Sequence, residues 1–348
     1  MQNFKIHQIS EDSLKMYKKC FDENGSPKKI ENIKWQFIQN PEENSFVDIA
    51  YDEEMNKTAA IYATSCVKFK INEGTSFGTQ SLDTITDVEY RGQGLFIKLA
   101  KSVYEKAKND NVELVYGFPN GNSIHGFVKK LEWQVLDPVP FLLKPLKSKY
   151  FTDKIKFLKF FPNINMSFSN YKNDKNFSIE ENKNFPEEVN SIWKLFSNEI
   201  RVAVERNKSY LDWRYIQKPN EDYKIVHCYS KENAYLGFVI YTVKEKHNGK
   251  IAYIMELLYD LNEPKAAKLL LDYAISEIKK EKADCILSWC FEHSPNYSVF
   301  KRSFFINLPE KFRPIELHFG VRVFQEKIKA VISKRENWYL SYSDSDTV

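Results

Sequence analysis

The chain has 348 residues, 43% of them hydrophobic, including 26 Phe and 20 Tyr. At roughly 150 residues per domain this length predicts two domains. The aromatic content excludes a largely disordered chain. The charge is nearly balanced, with 51 basic and 47 acidic residues. This balance excludes a strongly basic surface, so we expect no nucleic-acid partner.

The cysteines and the hydropathy pattern narrow the class of protein further. Five cysteines occur at unrelated spacings, which predicts reduced, structural thiols and no metal site. The N-terminus is polar where a signal peptide needs an apolar stretch, and no apolar run reaches 18 residues. We therefore expect a cytoplasmic protein without membrane insertion.

Patterns along the first 145 residues predict the element order βααβββαβαβ. Helical periodicity, with a capping Ser or a terminating Asn-Pro pair where these occur, predicts helices at 14–21, 30–38, 95–107 and 123–131. Alternating or β-branched stretches predict strands at 4–9, 45–51, 59–69, 79–86, 112–118 and 138–143. These elements predict a first domain over residues 1–145.

The second half repeats this order more loosely. A polar stretch at 169–184 predicts an exposed connection, so we assign 146–184 as a linker with a short helix, 185–330 as a second domain and 331–348 as a C-terminal tail. The basic, aromatic stretch 150–161 is either a packed linker helix, which we favour, or a membrane-surface helix. The predicted elements are helices at 189–201 and 265–279 and strands at 223–228, 234–244, 252–259 and 285–289.

A glycine turn between the strand at 79–86 and the following helix carries the first chemical signal. Arg91, Gly92, Gln93 and Gly94 stand where several backbone N–H groups converge at the positive end of a helix dipole. Glycine lets the backbone approach a phosphate, and Arg91 adds a fixed positive charge. Read alone, such a turn is equally consistent with simple strand-to-helix geometry.

The sequence YRGQGLF in this turn resembles the acyl-CoA motif of the GNAT superfamily, Arg/Gln-x-x-Gly-x-Gly/Ala, over about residues 1–145. The cofactor-binding segment would then run through Leu95 to Phe96, with Phe96 where Gly or Ala is usual. The resemblance implies an α/β (α+β) fold, a mixed, mostly antiparallel sheet flanked by helices, in two tandem copies. It also implies acyl-CoA as the acyl donor and no metal.

The same resemblance implies how the rest of the cofactor is held. The strand before the loop would splay from its neighbour, so that the backbone of Ile85 and Thr86 meets the pantetheine and the thioester carbonyl. Asn120 and Asn122 would contact the pantetheine arm. The alternative for both asparagines is a plain turn, since Pro-Asn-Gly-Asn favours turns by itself.

Acyl transfer to an amine requires a base and often an acid. Many GNAT enzymes carry a Tyr in the helix after Asn122, but this chain has Phe127 and Val128 there. His125 lies within one turn and titrates near neutral pH, while Asp83 and Asp87 are acidic alternatives beside the acyl group. The alternative for each of these three candidates is an ordinary surface residue.

The second half lacks a glycine pair before its helix, so we expect it to bind the acceptor instead of CoA. Arg is scarce, with eight residues against 43 Lys, which makes an Arg cluster informative. Arg can pair with a diphosphate and aromatic rings can stack on a base, although a packed segment is the alternative. The candidate acceptor residues are Arg206, Tyr210, Trp213, Arg214 and Tyr215.

The whole chain resembles two-domain GNAT proteins of surface-polysaccharide biosynthesis, through QSLDT, YGFPNGNS and YLDWRY. This implies transfer of an acetyl or larger group, such as 3-hydroxybutanoyl, to the amino group of a nucleotide-linked deoxyamino sugar, such as a dTDP-3-amino-3,6-dideoxyhexose. The alternatives are an N-acyltransferase for a peptide, polyamine or antibiotic amine, and a non-catalytic acyl-CoA-binding module.

Overall fold

The structure is a computed structural model that describes residues 4–42, 44–152, 160, 162–166, 171–246, 248–313 and 315–348. The helices in this part of the chain are α1 (Leu14–Glu23), α2 (Ile30–Phe37), α3 (Leu95–Asn109), α4 (Ile124–Leu131), α5 (Lys149–Thr152), α6 (Val189–Phe196), α7 (Lys208–Leu211), α8 (Pro264–Lys280), α9 (Asn296–Arg302) and α10 (Glu326–Ile332). Most of the sequence-predicted 150–161 helix lies outside the described residues.

Fifteen strands in the described residues complete the secondary structure. They are β1 (Lys5–Gln8), β2 (Ser45–Asp52), β3 (Lys57–Ile71), β4 (Gly74–Thr86), β5 (Leu114–Gly117), β6 (Gln134–Val135), β7 (Phe141–Pro145), β8 (Phe177–Glu181), β9 (Val202–Val204), β10 (Lys224–Ser230), β11 (Tyr235–Lys246), β12 (Gly249–Tyr259), β13 (Cys285–Trp289), β14 (Ile306–Asn307) and β15 (Gly320–Val323).

The strands form two sheets of the same design. The first has the order β1-β2-β3-β4-β5-β15-β6, with β9 also paired to β3. The second has the order β14-β7-β13-β12-β11-β10-β8. In each sheet a long antiparallel meander ends in one parallel pair, β4 with β5 and β12 with β13. The mixed, mostly antiparallel sheets in two tandem copies confirm the predicted fold class.

The two copies exchange a strand. After β13, the second sheet continues with β7 from the first half, and after β5, the first sheet continues with β15 from the second half. The predicted boundary at residue 145 therefore assigns β7 to the first domain, although β7 pairs in the second sheet. Strand β8 of the second sheet falls in the predicted linker. Local periodicity identifies a strand but not its partner, which explains the difference.

Helices cover both faces of the first sheet, and this arrangement decides what each face can bind. One face packs α3 and α4 around a core that contains Tyr62 and Val115. The other packs α1 and α2 around Ile49 and Ile61. A ligand that passes between β4 and β5 would therefore connect the α3 side to the α1 and α2 side.

The predicted tail is part of the core. Trp338 is buried and forms a bridge to Val202, and its indole N–H donates to the carbonyl of Ile332 at 2.8 Å. Residues 338–345 are all buried. This segment has no regular periodicity, so only its contacts in the folded chain show that it is part of the core.

Lys144 in the exchanged strand β7 carries an amino group that is buried in the folded chain. The residue is 2% exposed, and its ammonium donates to the carbonyl of Ser303 at 2.8 Å. Burial lowers the pKa of Lys144 to about 8. The protonated form is thus disfavoured in the folded chain, so the unfolded chain binds the proton more tightly.

We predict that Lys144→Met raises the free energy of unfolding at pH 7 by about 1–3 kcal/mol, because Met removes the cost of burying the ammonium. This cost is fully present below pH 8 and fades as the pH rises towards the ordinary Lys value. Urea unfolding at pH 7 and pH 9.5 measures it, with the exposed Lys5→Met as control. A variant less stable than wild type at both pH values would contradict this assignment.

Candidate active site

The central feature of the first sheet is a gap between β4 and β5. The two strands pair in parallel over only four positions, from Gly78 with Leu114 to Ser81 with Gly117. Beyond Ser81, residues 84–86 continue to pair with β3 on the other side. The edge of β4 that faces β5 has no partner strand there among the described residues, so backbone groups are available to an extended ligand.

Two local features open this gap. On β4, Leu82 and Asp83 together oppose the single residue Ala63, because the register shifts between Tyr62 and Thr64. Such a bulge bends the strand and increases its twist. On β5, a Cβ at Gly117 would lie 2.9 Å from the carbonyl oxygen of Ser81. Glycine therefore permits the close approach at the closed end of the gap.

The glycine turn 91–94 follows β4 and starts α3. The Tyr90 hydroxyl donates to Asp52 at 2.8 Å and anchors the turn. Gly92 and Gly94 have φ values of 82° and 74°, and a Cβ at either would meet nothing within 4 Å. Their left-handed backbone, and not crowding, is what favours glycine here.

The N-terminus of α3 has no side-chain cap. The first N–H groups of a helix have no intrahelical acceptor, and here they include those of Gly94, Leu95 and Phe96. An uncapped helix end with its positive dipole is suited to a phosphate group. The arrangement therefore leaves free backbone N–H groups, suited to an anion, at the mouth of the β4–β5 gap.

A cavity of about 410 Å³ opens on the α1 and α2 side of the sheet, next to β4. Its wall combines the α1–α2 connection, α2, β3, β4, the segment after α7 and the C-terminal segment. Its size is typical of a small-molecule site. The lining residues are Pro27, Lys28, Lys29, Asn32, Ile33, Trp35, Gln36, Val67, Gln80, Tyr210, Trp213, Arg214, Lys218, Asn220, Glu221, Ser343, Ser345, Asp346 and Val348.

The cavity wall carries more positive than negative charge. Its cations are Lys28, Lys29, Arg214 and Lys218, and its acids are Glu221 and Asp346. Glu221 already forms an ion pair with Lys244. Burial lowers the pKa of Lys218, and the neighbouring Arg214 charge lowers it further. This wall therefore favours a ligand that carries negative charge.

Comparison with known proteins identifies the first half. Residues 8–136 match the family model for an acetyltransferase (GNAT) domain. Residues 8–136 are a GNAT domain. The chain thus carries an acyl-CoA-dependent N-acyltransferase domain, and its uncapped loop and open gap fit the donor. No curated protein matches the chain in sequence.

Solved structures extend the likeness to both halves. N-myristoyltransferase of Saccharomyces cerevisiae with bound myristoyl-CoA is similar at a TM-score of 0.63 and 12% identity, over 93% of this chain and 80% of that chain. A conserved protein of unknown function from Enterococcus faecalis V583, described as a probable N-acyltransferase, is also similar. Its TM-score is 0.62 at 12% identity, over 94% of this chain and 74% of that chain. At such identities the likeness shows a shared fold.

The second copy has the same pattern as the GNAT domain, but its gap is filled. β12 and β13 pair in parallel over four positions, and Met255 forms a bulge just beyond them. The hydroxyl of Ser343 donates to the Met255 carbonyl at 3.3 Å, and the Asn296 amide donates to the Leu257 carbonyl at 2.8 Å. The C-terminal segment thus occupies the position that corresponds to the open gap of the GNAT domain.

Phe96 and Arg91 contribute to the loop in different ways. The Phe96 ring lies 5.1 Å from the ring of Phe127, and a Cβ on Gly126 would lie 2.7 Å from it. Its side chain thus packs between α3 and α4, so only its backbone N–H points to a role at the phosphate. Arg91 is exposed, and its Nε donates to the Thr86 carbonyl at 3.4 Å.

The segment between β5 and α4 forms the plain turn that its sequence allowed. The side-chain Oδ1 of Asn120 accepts from the backbone N–H of Asn122 at 3.1 Å and of Ser123 at 3.2 Å. Asn122 and His125 are exposed. His125 begins α4, on the face of the sheet opposite the cavity. The pantetheine and proton-transfer roles of these residues stay predictions.

The two predicted acids near β4 have different surroundings. Asp83 is buried and accepts from the Tyr17 hydroxyl and the Lys28 ammonium, both at 2.7 Å. Asp87 is 2% exposed, forms an ion pair with Lys57 at 3.1 Å and accepts from the Asn24 amide at 2.9 Å. These hydrogen bonds lower the pKa of Asp87, which makes it a poor proton acceptor.

Arg206 is fully buried and does not reach the cavity. Its guanidinium forms ion pairs with Glu256 at 2.7 Å and Asp344 at 2.6 Å, and donates to the Val204 carbonyl at 2.8 Å. Its exposed fraction is 0%. The expected contact with an acceptor diphosphate is therefore corrected: Arg206 holds the C-terminal segment against the second sheet.

The other predicted acceptor residues surround the same C-terminal segment. Arg214 lines the cavity but donates to the carbonyls of Ser343 at 3.3 Å and Ser345 at 2.7 Å. The Tyr210 hydroxyl donates to the Ser343 carbonyl at 2.9 Å, and the Tyr215 hydroxyl forms a hydrogen bond with the Ser343 hydroxyl. Trp213 lines the cavity, and its ring centroid lies 4.6 Å from that of Trp35 in a stacked pair. Each indole N–H of this pair donates to the backbone carbonyl of the other tryptophan.

Two further sequence expectations concern metals and membranes. Within the described ranges, no group of three or more His, Cys, Asp or Glu side chains could hold a metal ion. In the same part of the chain, no helix combines the length and apolar character needed to cross a bilayer. The five cysteines are buried thiols.

We predict that Gly94→Glu abolishes CoA binding, because a carboxylate at the helix start repels phosphate and a side chain strains the left-handed backbone. Gly25→Glu is the matched control, since Gly25 has a φ of 75° and equally open surroundings away from the loop. Calorimetry with CoA measures both variants. Unchanged affinity in Gly94→Glu, or equal loss in both, would contradict this loop assignment.

We predict that Arg206→Met lowers the free energy of unfolding by about 3–5 kcal/mol, because Glu256 and Asp344 would remain buried without their partner. Arg322→Met, which breaks a pair with the exposed Glu132, should cost at most about 1 kcal/mol. Denaturant titration compares the two. Equal, small effects would show that the buried triad does not hold the segment.

Proposed function

We propose that the chain transfers an acyl group from acyl-CoA, held in the β4–β5 gap, to the amino group of a small anionic acceptor held in the 410 Å³ cavity. The observation that carries this proposal is the position of the gap. The free edge of β4 leads from the bulge at Leu82 and Asp83 to the glycine turn 91–94, and Gln80, just before the bulge, lines the cavity.

The reaction needs few groups from the protein. The bound amine loses a proton, attacks the thioester carbonyl directly and displaces the thiol, without a covalent enzyme intermediate. Positioning donor and acceptor on the two sides of one strand supplies much of the rate advantage. Backbone groups at the free edge of β4, such as those of Ile85 and Thr86, would orient the thioester.

The charges of the cavity support a class of acceptor. Lys28 is paired with Asp83 and Glu221 is paired with Lys244, which leaves Lys29, Lys218 and the Arg214 guanidinium against the single acid Asp346. A polyamine or a cationic antibiotic would meet repulsion there. An amine that also carries a phosphate, diphosphate or carboxylate would be attracted.

Within this class, a nucleotide-linked deoxyamino sugar such as a dTDP-3-amino-3,6-dideoxyhexose is our first candidate, with acetyl or a larger group such as 3-hydroxybutanoyl as the acyl group. Lys218 and Lys29 replace Arg206 as the side chains proposed to meet the diphosphate. Arg214 adds its charge to the same wall, which Trp213 also lines.

A peptide amine with a longer acyl chain is the second candidate. The observation that favours it is the fold shared with an N-myristoyltransferase that binds myristoyl-CoA, over 93% of this chain. A terminal or side-chain carboxylate of the peptide would meet the same cations. A non-catalytic acyl-CoA-binding module is the remaining reading, and turnover with any amine excludes it.

We predict that thiol release from acyl-CoA is faster with the nucleotide-linked amino sugar than with the free sugar, by at least tenfold in kcat/KM. Lys218→Met should raise KM for the linked sugar about tenfold and leave kcat and the acyl-CoA KM unchanged, because a ground-state contact is lost. Lys224→Met, outside the cavity and paired with Asp222, is the control.

Equal kcat/KM for the linked and free sugars would contradict the nucleotide-sugar assignment. Turnover only with peptides would promote the second candidate. Acyl-CoA binding without thiol release in the presence of every amine class would leave a binding module and would contradict the proposed enzyme function.

A further inference from the structure

The amine in the cavity needs a proton acceptor, and the residues predicted from the sequence do not supply one there. His125 lies on the opposite face of the sheet. Asp87 is held by an ion pair with Lys57 at 3.1 Å. Asp83 is close to the gap, but its two carboxylate oxygens already accept from Tyr17 and Lys28. The remaining candidates are the acids of the cavity wall itself.

Asp346 is an acid in the cavity wall that the sequence did not single out. It follows the buried segment 338–345, and its side chain is exposed in the cavity, whereas the side chains of the five residues before it are buried. No ion pair of Asp346 occurs among the described residues, in contrast to Glu221 on the same wall, which is paired with Lys244. Asp346 is thus accessible to a bound ligand.

The surroundings of Asp346 suit a base. Desolvation by the surrounding cavity wall raises the pKa of Asp346, and the negative charge of Asp83 raises it further. The positive charges of Lys28 and Lys218 lower it. Asp346 lines the cavity together with Lys28, and the Lys28 ammonium is bound at 2.7 Å by Asp83, the bulge residue at the gap. A carboxylate with a raised pKa is a stronger base than an ordinary one.

We propose that Asp346 is the general base that deprotonates the acceptor amine, an inference that rests on the proposed function. The ammonium gives one proton to the Asp346 carboxylate, and the free amine attacks the thioester carbonyl carbon. The C–N bond forms as the C–S bond breaks. A second amine proton goes through solvent to the departing thiolate, so the products are an amide, the thiol of CoA and one proton released from Asp346.

The charged and titratable groups around Asp346 come from several elements. They are Tyr17 on α1, Lys28 after α1, Asp83 on β4, Lys246 on β11 and, in the same cavity wall, Lys218 and Arg214. Asp83 binds the Lys28 ammonium at 2.7 Å and so fixes the position of one cation of this wall. Asp83 is therefore a positioning residue for Lys28.

The experiment compares two small anionic acceptors of similar size and shape with acetyl-CoA as the donor. The amine of β-alanine is almost entirely protonated at neutral pH, whereas the aminooxy group of aminooxyacetate is almost entirely free base and needs no prior deprotonation. Asp346→Asn should lower kcat/KM for β-alanine at least 100-fold and change that for aminooxyacetate less than threefold. Asp222→Asn, a charge-matched change at an exposed acid outside the cavity, should leave both rates unchanged.

A second readout does not depend on turnover. Carboxyl NMR of the whole chain, with Asp346→Asn to assign the signal, should show Asp346 titrating above the ordinary Asp value. Equal loss with both nucleophiles would show a structural role. Retained β-alanine activity in Asp346→Asn, or wild-type transfer to aminooxyacetate but not β-alanine, would overturn the inference. A wild-type protein that acylates neither of these acceptors, nor the nucleotide-linked amino sugar, would defeat the proposed function itself.

Discussion

The pairing of β4 with β5 stops after four positions, and the function of the molecule depends on this. If Leu82 to Thr86 were paired on both sides, no backbone group could meet an extended ligand. The bulge opposite Ala63 and the close approach at Gly117 end the pairing from the two strands independently. The loop at Gly92 and Gly94 then follows within one turn, so that anion site and open edge form one continuous surface.

The second copy shows what happens when the same gap is filled. Its parallel pair also stops after four positions and is also followed by a bulge, at Met255. The buried triad of Arg206, Glu256 and Asp344 holds the C-terminal segment there. Because this segment occupies one gap and then continues to Asp346 in the cavity, the degenerate copy shapes the acceptor site of the intact one.

Sequence periodicity predicted most helices and strands within a few residues, since each depends on local pattern. The exchange of β7 and β15 could not be predicted, because pairing partners are not encoded in the pattern of one strand. The scarcity of Arg pointed to Arg206, but a scarce Arg suits a buried ion pair as well as a phosphate. The role of Asp346 could not be predicted, because it lies in a short polar segment of the predicted tail that has the composition of an exposed chain end.

We propose that the free edge of β4 and the loop at the start of α3 bind the donor together. Amide hydrogen exchange with and without CoA reports on both segments in one experiment. We expect slower exchange in residues 82–97 and no change in β12 and β13, whose gap is filled. Protection confined to the second sheet, or none in residues 82–97 at saturating CoA, would show that the donor does not bind there.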